Sequence, residues 1–196
     1  MSDAKGLKDN PKVVRILDCA LTVMREEGDT GLSMRKVAAC AGMSLGNLQY
    51  YFKNKDALLG GMVDVYFAQC AESFAEAMGE TMPGDARELL TRIMHFGMES
   101  SDSDMGRTFG ELWVMAERDE TVRAALHAHY RGMIDDLAAL LVPFAASEAA
   151  AENTLALLIP FCDGVRNTGP TLPVDRAALT RVVIDAALFT LKGRGE

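Results

Sequence analysis

Apolar residues in this chain recur every three or four positions and almost nowhere alternate, which restricts it to helices packed on helices. Val13, Leu17, Ala20, Leu21 and Met24 make the first such stripe. Pro11 stands where that helix would begin, and Gly28 and Gly31 where it would break. No stretch reads as a strand, because β-branched residues are thinly spread. The fold class is therefore all-α, and 196 residues are enough for a small domain joined to a larger one with a sizeable core. With 49% apolar and 24% charged residues, the composition is that of an ordinary globular chain.

The punctuation is densest between residues 33 and 55. Ser33 caps a short helix from Met34 to Ala41, with Met34, Val37, Ala38 and Ala41 turned inward. Gly42 suits the positive φ of a helix end, Met43 can plug the core, and Ser44 caps the next helix, Leu45 to Tyr51. Two short helices around a glycine turn make a helix-turn-helix. Asn54 then opens a long connector helix, 55–79, carrying Leu58, Leu59, Met62, Val65, Tyr66 and Phe67. Beyond Pro83-Gly84, helices are predicted near 85–100, 105–118, 120–145, 148–166 and 174–192, and Pro160 either kinks its helix or breaks it. The expected division is residues 1–54, a three-helix domain holding the helix-turn-helix, and residues 55–196, a larger helical domain.

A helix of this kind enters the major groove of DNA with its N-terminal residues at base edges and its flanks at phosphates. Ser44, Leu45, Gly46, Asn47 and Gln49 provide small and polar groups at that entry. Gly46 costs about 1 kcal/mol against Ala inside a packed helix, so it points to close approach by something else. Tyr50 and Tyr51 lie about 100° apart on a helix, so one packs with Leu48 and Phe52 while the other meets phosphates; Tyr50 is read as the packing one. Lys53 and Lys55 fall beside a helix N-terminus that already favours an anion. The whole chain carries a net charge of -8, unfavourable for nucleic acid, but residues 1–60 hold 9 Lys or Arg against 7 Asp or Glu. The acidity lies in residues 61–196, with 11 basic against 21 acidic side chains.

Residues 14–60 resemble the DNA-binding region of the TetR family of bacterial transcriptional regulators. The likeness rests on Ala41, Gly42, Ser44, Gly46, Leu48, Tyr51, Phe52, Lys55 and Leu58 in their order and spacing. It implies an all-α homodimer that reads a palindromic operator in double-stranded DNA, represses transcription, and is released by a small-molecule effector bound in the C-terminal domain. It also implies that Arg35 reaches DNA, that Asn47 and Gln49 occupy recognition positions, and that Tyr51 and Lys55 contact the backbone. Many members have an aromatic residue where this chain has Gln49, so base preference does not carry over. The stretch LWVMAERDETVRAALHAHYRGMIDDL resembles regulators of the family's BetI-like branch.

In the C-terminal half, Met94, Met98, Trp113, Phe161 and Arg166 are candidates for a ligand pocket, Arg166 as partner of an anion or of Asp163. The last two helices are apolar on more than one stripe, which suggests a second subunit. Leu158, Val165, Leu179, Val182, Val183, Ala186 and Phe189 are the interface candidates. His95 and Glu99 share a metal-capable spacing with no third ligand evident, and no catalytic motif stands out, so neither metal, cofactor nor enzyme activity is expected. Cys19, Cys40, Cys70 and Cys162 have no zinc spacing and read as buried, inert thiols. Neither a signal peptide nor a membrane span is evident, making the cytoplasm the expected compartment. The competing readings are a helical-bundle enzyme or binding module without DNA, and a DNA-binding protein indifferent to ligands.

Overall fold

A computed structural model describes residues 10–100, 103–168, 171, 173 and 175–193, except for the side chains of Ser100, Arg166 and Asn167. Among the described residues there are nine α-helices and no strand: α1 (Pro11–Gly31), α2 (Met34–Cys40), α3 (Leu45–Tyr51), α4 (Lys55–Met78), α5 (Ala86–Ser100), α6 (Asp104–Ala116), α7 (Glu120–Leu141), α8 (Glu148–Thr168) and α9 (Arg176–Leu191).

Local chemistry explains where these helices begin. Each starts on a polar side chain that accepts from first-turn backbone N–H groups, one of the four donors an α-helix leaves unmet. Asn10, Ser33, Ser44 and Asn54 do this for α1 to α4. Asp85, Ser103, Asp119, Ser147 and Asp175 do it for α5 to α9. Such a cap stabilises by about 1 kcal/mol. Gly28 takes φ +68° inside α1 and interrupts its geometry there. Arg92 closes the other end of α4 by donating to the carbonyls of Met78 and Thr81, while Glu88 Oε1 lies 2.6 Å from the same guanidinium.

Two ends differ from expectation. α7 stops at Leu141, short of 145, because Pro143 has no N–H to continue it, and Val142–Phe144 forms a single 3-10 turn. Pro160, in contrast, does not end its helix: α8 runs through it to Thr168. No helix among the described residues is long and apolar enough to cross a membrane.

The chain packs as two units. Described residues up to Ala71 go with Arg107–His129, and Glu72–Gly106 go with Tyr130 onward. The cut expected after residue 54 thus falls inside the first unit, since the first half of α4 is part of the same core as α1 to α3. Ile16, Leu17, Met24, Leu48, Leu58, Leu59 and Met62 are all fully buried there. An aromatic series ties α4 to α6 and α7: Tyr66 stacks on Phe109 at 6.4 Å, Phe109 meets Trp113 edge-on at 5.9 Å, and Phe67 stacks on the His129 ring at 4.6 Å. His129 Nε2 also lies 2.8 Å from Asp64 Oδ1.

The second unit is built around Leu89, Leu90, Ile93 and Met94 of α5, Leu137 and Leu141 of α7, Ala151, Leu155, Leu158 and Val165 of α8, and Val183, Ile184, Ala187 and Leu191 of α9. Gly97 lets α5 approach α8 closely, for a Cβ there would lie 2.8 Å from Cys162 Sγ.

Gly60 and Gly61 are neighbours in α4 with opposite surroundings. A Cβ on Gly61 would meet Phe52 at 3.0 Å and Leu17 at 3.2 Å, whereas one on Gly60 meets none of the described residues within 4 Å. Gly61→Leu should destabilise the protein by about 1–3 kcal/mol through overpacking. Gly60→Ala should stabilise it by roughly 0.5–1 kcal/mol, the helix-interior cost of glycine. Urea denaturation of both variants checks the pair of signs.

Candidate nucleic-acid interface

The α2–α3 turn has the hydrogen bonds of a Schellman end. Gly42, at φ +68°, donates to Ala39 O at 3.1 Å, and Met43 donates to Ala38 O at 2.9 Å. Met43 is half-buried beneath it, and Ser44 Oγ accepts from Asn47 N at 3.2 Å to start α3. Ala41, Val37 and Ala38 are buried, so α2 presents the remainder of its surface outward.

α3 separates cleanly into two faces. Leu48 and Phe52 are buried, Tyr51 and Leu45 are half-buried, and Gly46, Asn47, Gln49 and Tyr50 are exposed. Tyr50 corrects the sequence reading: at 82% exposure it packs against nothing below, and Tyr51 is the inward tyrosine, meeting the Tyr50 ring edge-on at 5.2 Å. The reason is helical phase. Tyr51 follows Leu48 by three residues and shares its buried face, while Tyr50 follows Asn47 by three and Gly46 by four. Among the described residues beyond its own helical turn, nothing lies within 4 Å of a Cβ on Gly46, so no contact among them demands glycine there.

The flanks carry the cations. Lys36 of α2 bonds to Glu27 of α1, and Arg35 beside it projects exposed. Lys53 is exposed just before the start of α4, and half-buried Lys55 lies 3.9 Å from Asp29 Oδ1, too far for a tight ion pair. The structure therefore brings Arg35, Ser44, Gly46, Asn47, Gln49, Tyr50, Tyr51, Lys53 and Lys55 to α2, α3 and the start of α4.

Residues 16–62 match the profile of the bacterial regulatory proteins of the tetR family. Over 191 residues the chain is 40% identical to an uncharacterised HTH-type transcriptional regulator in the dhlA 5′ region of Xanthobacter autotrophicus, covering 95% of this chain and 94% of that one. The chain belongs to the TetR family of transcriptional regulators. It is a DNA-binding transcriptional regulator. A Streptomyces coelicolor A3(2) protein described as a transcriptional regulator has the same fold, with a TM-score of 0.74 at 22% identity over 93% of this chain and 99% of that one. The multidrug-binding protein EbrR, solved with imidazole, has it too, with a TM-score of 0.66 at 22% identity over 93% of this chain and 96% of that one.

The remaining candidates of this TetR-family chain are dispersed. Met94 is fully buried in the second unit's core, 3.8 Å from the Cys162 sulfur, so it serves packing there. Phe161 packs on the same core, and Trp113 belongs to the first unit, against Phe109 and His127. Arg166's side chain lies outside the described residues; Asp163 accepts from the Tyr130 hydroxyl at 3.0 Å. Met98, a pocket candidate from the sequence, lines an open recess of about 450 Å³ with His95, Glu99, Arg176, Ala177 and Thr180; the sequence did not supply its second wall, Arg176, Ala177 and Thr180 of α9.

Of the interface candidates, Leu158, Val165 and Val183 are buried in the second unit's own core and have no surface left for another subunit. Leu179 is half-buried, and Val182, Ala186 and Phe189 are exposed. On α9, Val183 lies with Ala187 and Leu191 on the inner stripe, while Val182, Ala186 and Phe189 lie on the outer one. The thiols differ as well: Cys40 is exposed, and Cys19, Cys70 and Cys162 are only half-buried.

The two faces of α3 predict opposite costs. Leu48→Ala should destabilise the protein by about 2–5 kcal/mol, as for other fully buried leucines. Tyr50→Ala should stay within about 0.5 kcal/mol of the parent. Chemical denaturation monitored by circular dichroism distinguishes them.

Proposed function

We propose that this regulator is a repressor that binds a palindromic operator as a homodimer and is released by a small-molecule effector. The observation that carries the reading is α3 itself: a helix anchored from beneath by Leu48 and Phe52, with Gly46, Asn47, Gln49 and Tyr50 unobstructed on its outer face. Asn47 and Gln49 can pair donor and acceptor with adenine, and Tyr50 offers an apolar ring to a thymine methyl. Arg35, Ser44, Tyr51, Lys53 and Lys55 hold the phosphates on either side.

Dimerisation through α9 is supported by Val182 and Phe189, exposed at 65% and 64% on one face beside Ala186. An apolar stripe of that kind, next to a core stripe on the same helix, suits a two-fold helix pair. The two recognition helices of such a dimer must stand about 34 Å apart to enter successive major grooves. An effector then acts by favouring a dimer with a different separation, to the extent of its differential affinity for the two arrangements. EbrR, a multidrug-binding protein, and a Bacillus subtilis fatty acid metabolism regulator, 28% identical over 48% of this chain and 49% of its own, support a small-molecule effector. The recess at Met98, with His95, Glu99 and Arg176 on its walls, is a seat for a polar one. Function in the cytoplasm, where the DNA lies, follows from the same reading.

Selection of genomic fragments by the purified protein at near-physiological salt tests the proposal. It should enrich one inverted repeat with half-sites about one turn apart; retention of fragments without a shared repeat would overturn operator recognition. On the recovered duplex, Asn47→Ala should lose about 1–3 kcal/mol at one base position, and Lys55→Ala should weaken all sequences alike and reduce the salt slope by about one. In analytical ultracentrifugation, Phe189→Asp should raise the dimer dissociation constant by about tenfold or more, the range of a central apolar contact. An unchanged dimer would remove α9 from the interface.

A further inference from the structure

The end of α1 is broken in such a way that two of its carboxylates reach the elements on either side of α3. Gly28, at φ +68° and ψ −175°, interrupts the helix, with Glu27 before the break and Asp29 after it. Glu27 bonds to Lys36 Nζ in the first turn of α2, and Asp29 Oδ1 stands 3.9 Å from Lys55 Nζ at the start of α4. Gly31 leaves room for the Glu27 side chain, since a Cβ there would lie 2.9 Å from Glu27 Oε2. The turn after the break is closed by backbone, Leu32 N donating to Asp29 O at 3.2 Å. All four charged side chains keep between 23% and 49% of their surface in solvent, so a phosphate can still reach both lysines.

We propose that Glu27 and Asp29 restrain DNA binding by holding Lys36 and Lys55 in internal ion pairs that phosphates must displace, which makes Lys36 a further phosphate contact on the α2 side. The Lys36 pair is hydrogen-bonded, and the ammonium has to leave its carboxylate to meet DNA. The Lys55 pair is too long for a hydrogen bond, so Asp29 does not orient the ammonium and acts through its charge alone. The sign is the same in both: part of the attraction between lysine and phosphate is offset by separating the pair, and the carboxylate left behind repels the phosphate. Backbone contacts carry no sequence information, so the restraint falls on operator and random DNA alike and leaves the choice between them to the base-contacting side chains. It also bears on release. Couplings between an effector site and a second site span about 5–150-fold, and a regulator held less tightly by phosphates is more readily freed by a change of that size.

The proposal rests on the reading of Lys55 as a phosphate contact, and double-mutant cycles separate the two. Fluorescence anisotropy with full-length protein measures binding to two fluorescein-labelled duplexes, one recovered by genomic selection and one of random sequence, between about 50 and 200 mM salt. Asp29→Asn and Glu27→Gln should each tighten both duplexes by about two- to fivefold, the range of an exposed ion pair. Both are isosteric changes at solvent-contacting sites, and circular dichroism should show the parent fold. Lys36→Ala should weaken both duplexes and reduce the salt slope by about one. Asp29→Asn should lose its effect once Lys55 is alanine, and Glu27→Gln once Lys36 is alanine. Tightening that survives loss of the lysine would be a net-charge effect and would overturn the proposal, as would carboxamide variants that bind no more tightly than wild type. Lys55→Ala binding like wild type would defeat the reading of Lys55 itself and the Asp29 half with it, and Lys36→Ala binding like wild type would remove the Glu27 half. The random duplex decides the restraint even where operator recognition fails.

Discussion

The close approach of Phe52 and Leu17 to the bare backbone of Gly61 is the constraint on which the placement of α3 depends. Phe52 is the residue that ends α3, Leu17 lies mid-way along α1, and Gly61 is in the second turn of α4. With no side chain at Gly61, α4 comes close enough for the Phe52 ring to fill the space between the three helices. Leu48, one turn earlier, is fully buried on the same face. A helix of seven residues has little stability of its own, because nucleation consumes most of what its hydrogen bonds return. α3 is therefore held by these two side chains and by its Ser44 cap, and its opposite face is free to be chosen for DNA.

That division explains why so much of the fold was legible in the sequence. Helix starts depend on a cap and a following turn, both local, and Ser33, Ser44 and Asn54 were read correctly for that reason. The ends of α2 and α3 came within a residue of expectation through Gly42 and the aromatic run. Tyr50 was misread although the signal was present, since its spacing from Asn47 and Gly46 puts it outward. Pro143 was passed over because an apolar pattern continued across it, yet the missing N–H decided the matter.

What a sequence cannot give is the partner of a buried face. Helical phase separates Val182 from Val183, but only the packing of α5 and α8 against α9 tells which of the two stripes is inside. Leu158 and Val165, expected at the subunit interface, lie in that same core. The recess at Met98 depends on residues of α5 and α9 that no local pattern relates. Each of these is a long-range fact, and composition or periodicity carries none of it.

α4 and α7 each run through both packing units, so any influence of an effector on the helix-turn-helix has covalent routes to follow. Within the first unit these routes are fastened together where His129 meets Asp64 at 2.8 Å and stacks on Phe67 at 4.6 Å. An effector that displaced α7 alone would have to break or carry along this contact, and through it α4 and the seat of Phe52. Three bonded or stacked groups at the edge of a close-packed unit resist partial movement, because packed interiors switch between arrangements more readily than they stretch. Release of DNA in the proposed mechanism is then a displacement of the first unit's helices together, and the separation of two recognition helices is the quantity such a displacement changes.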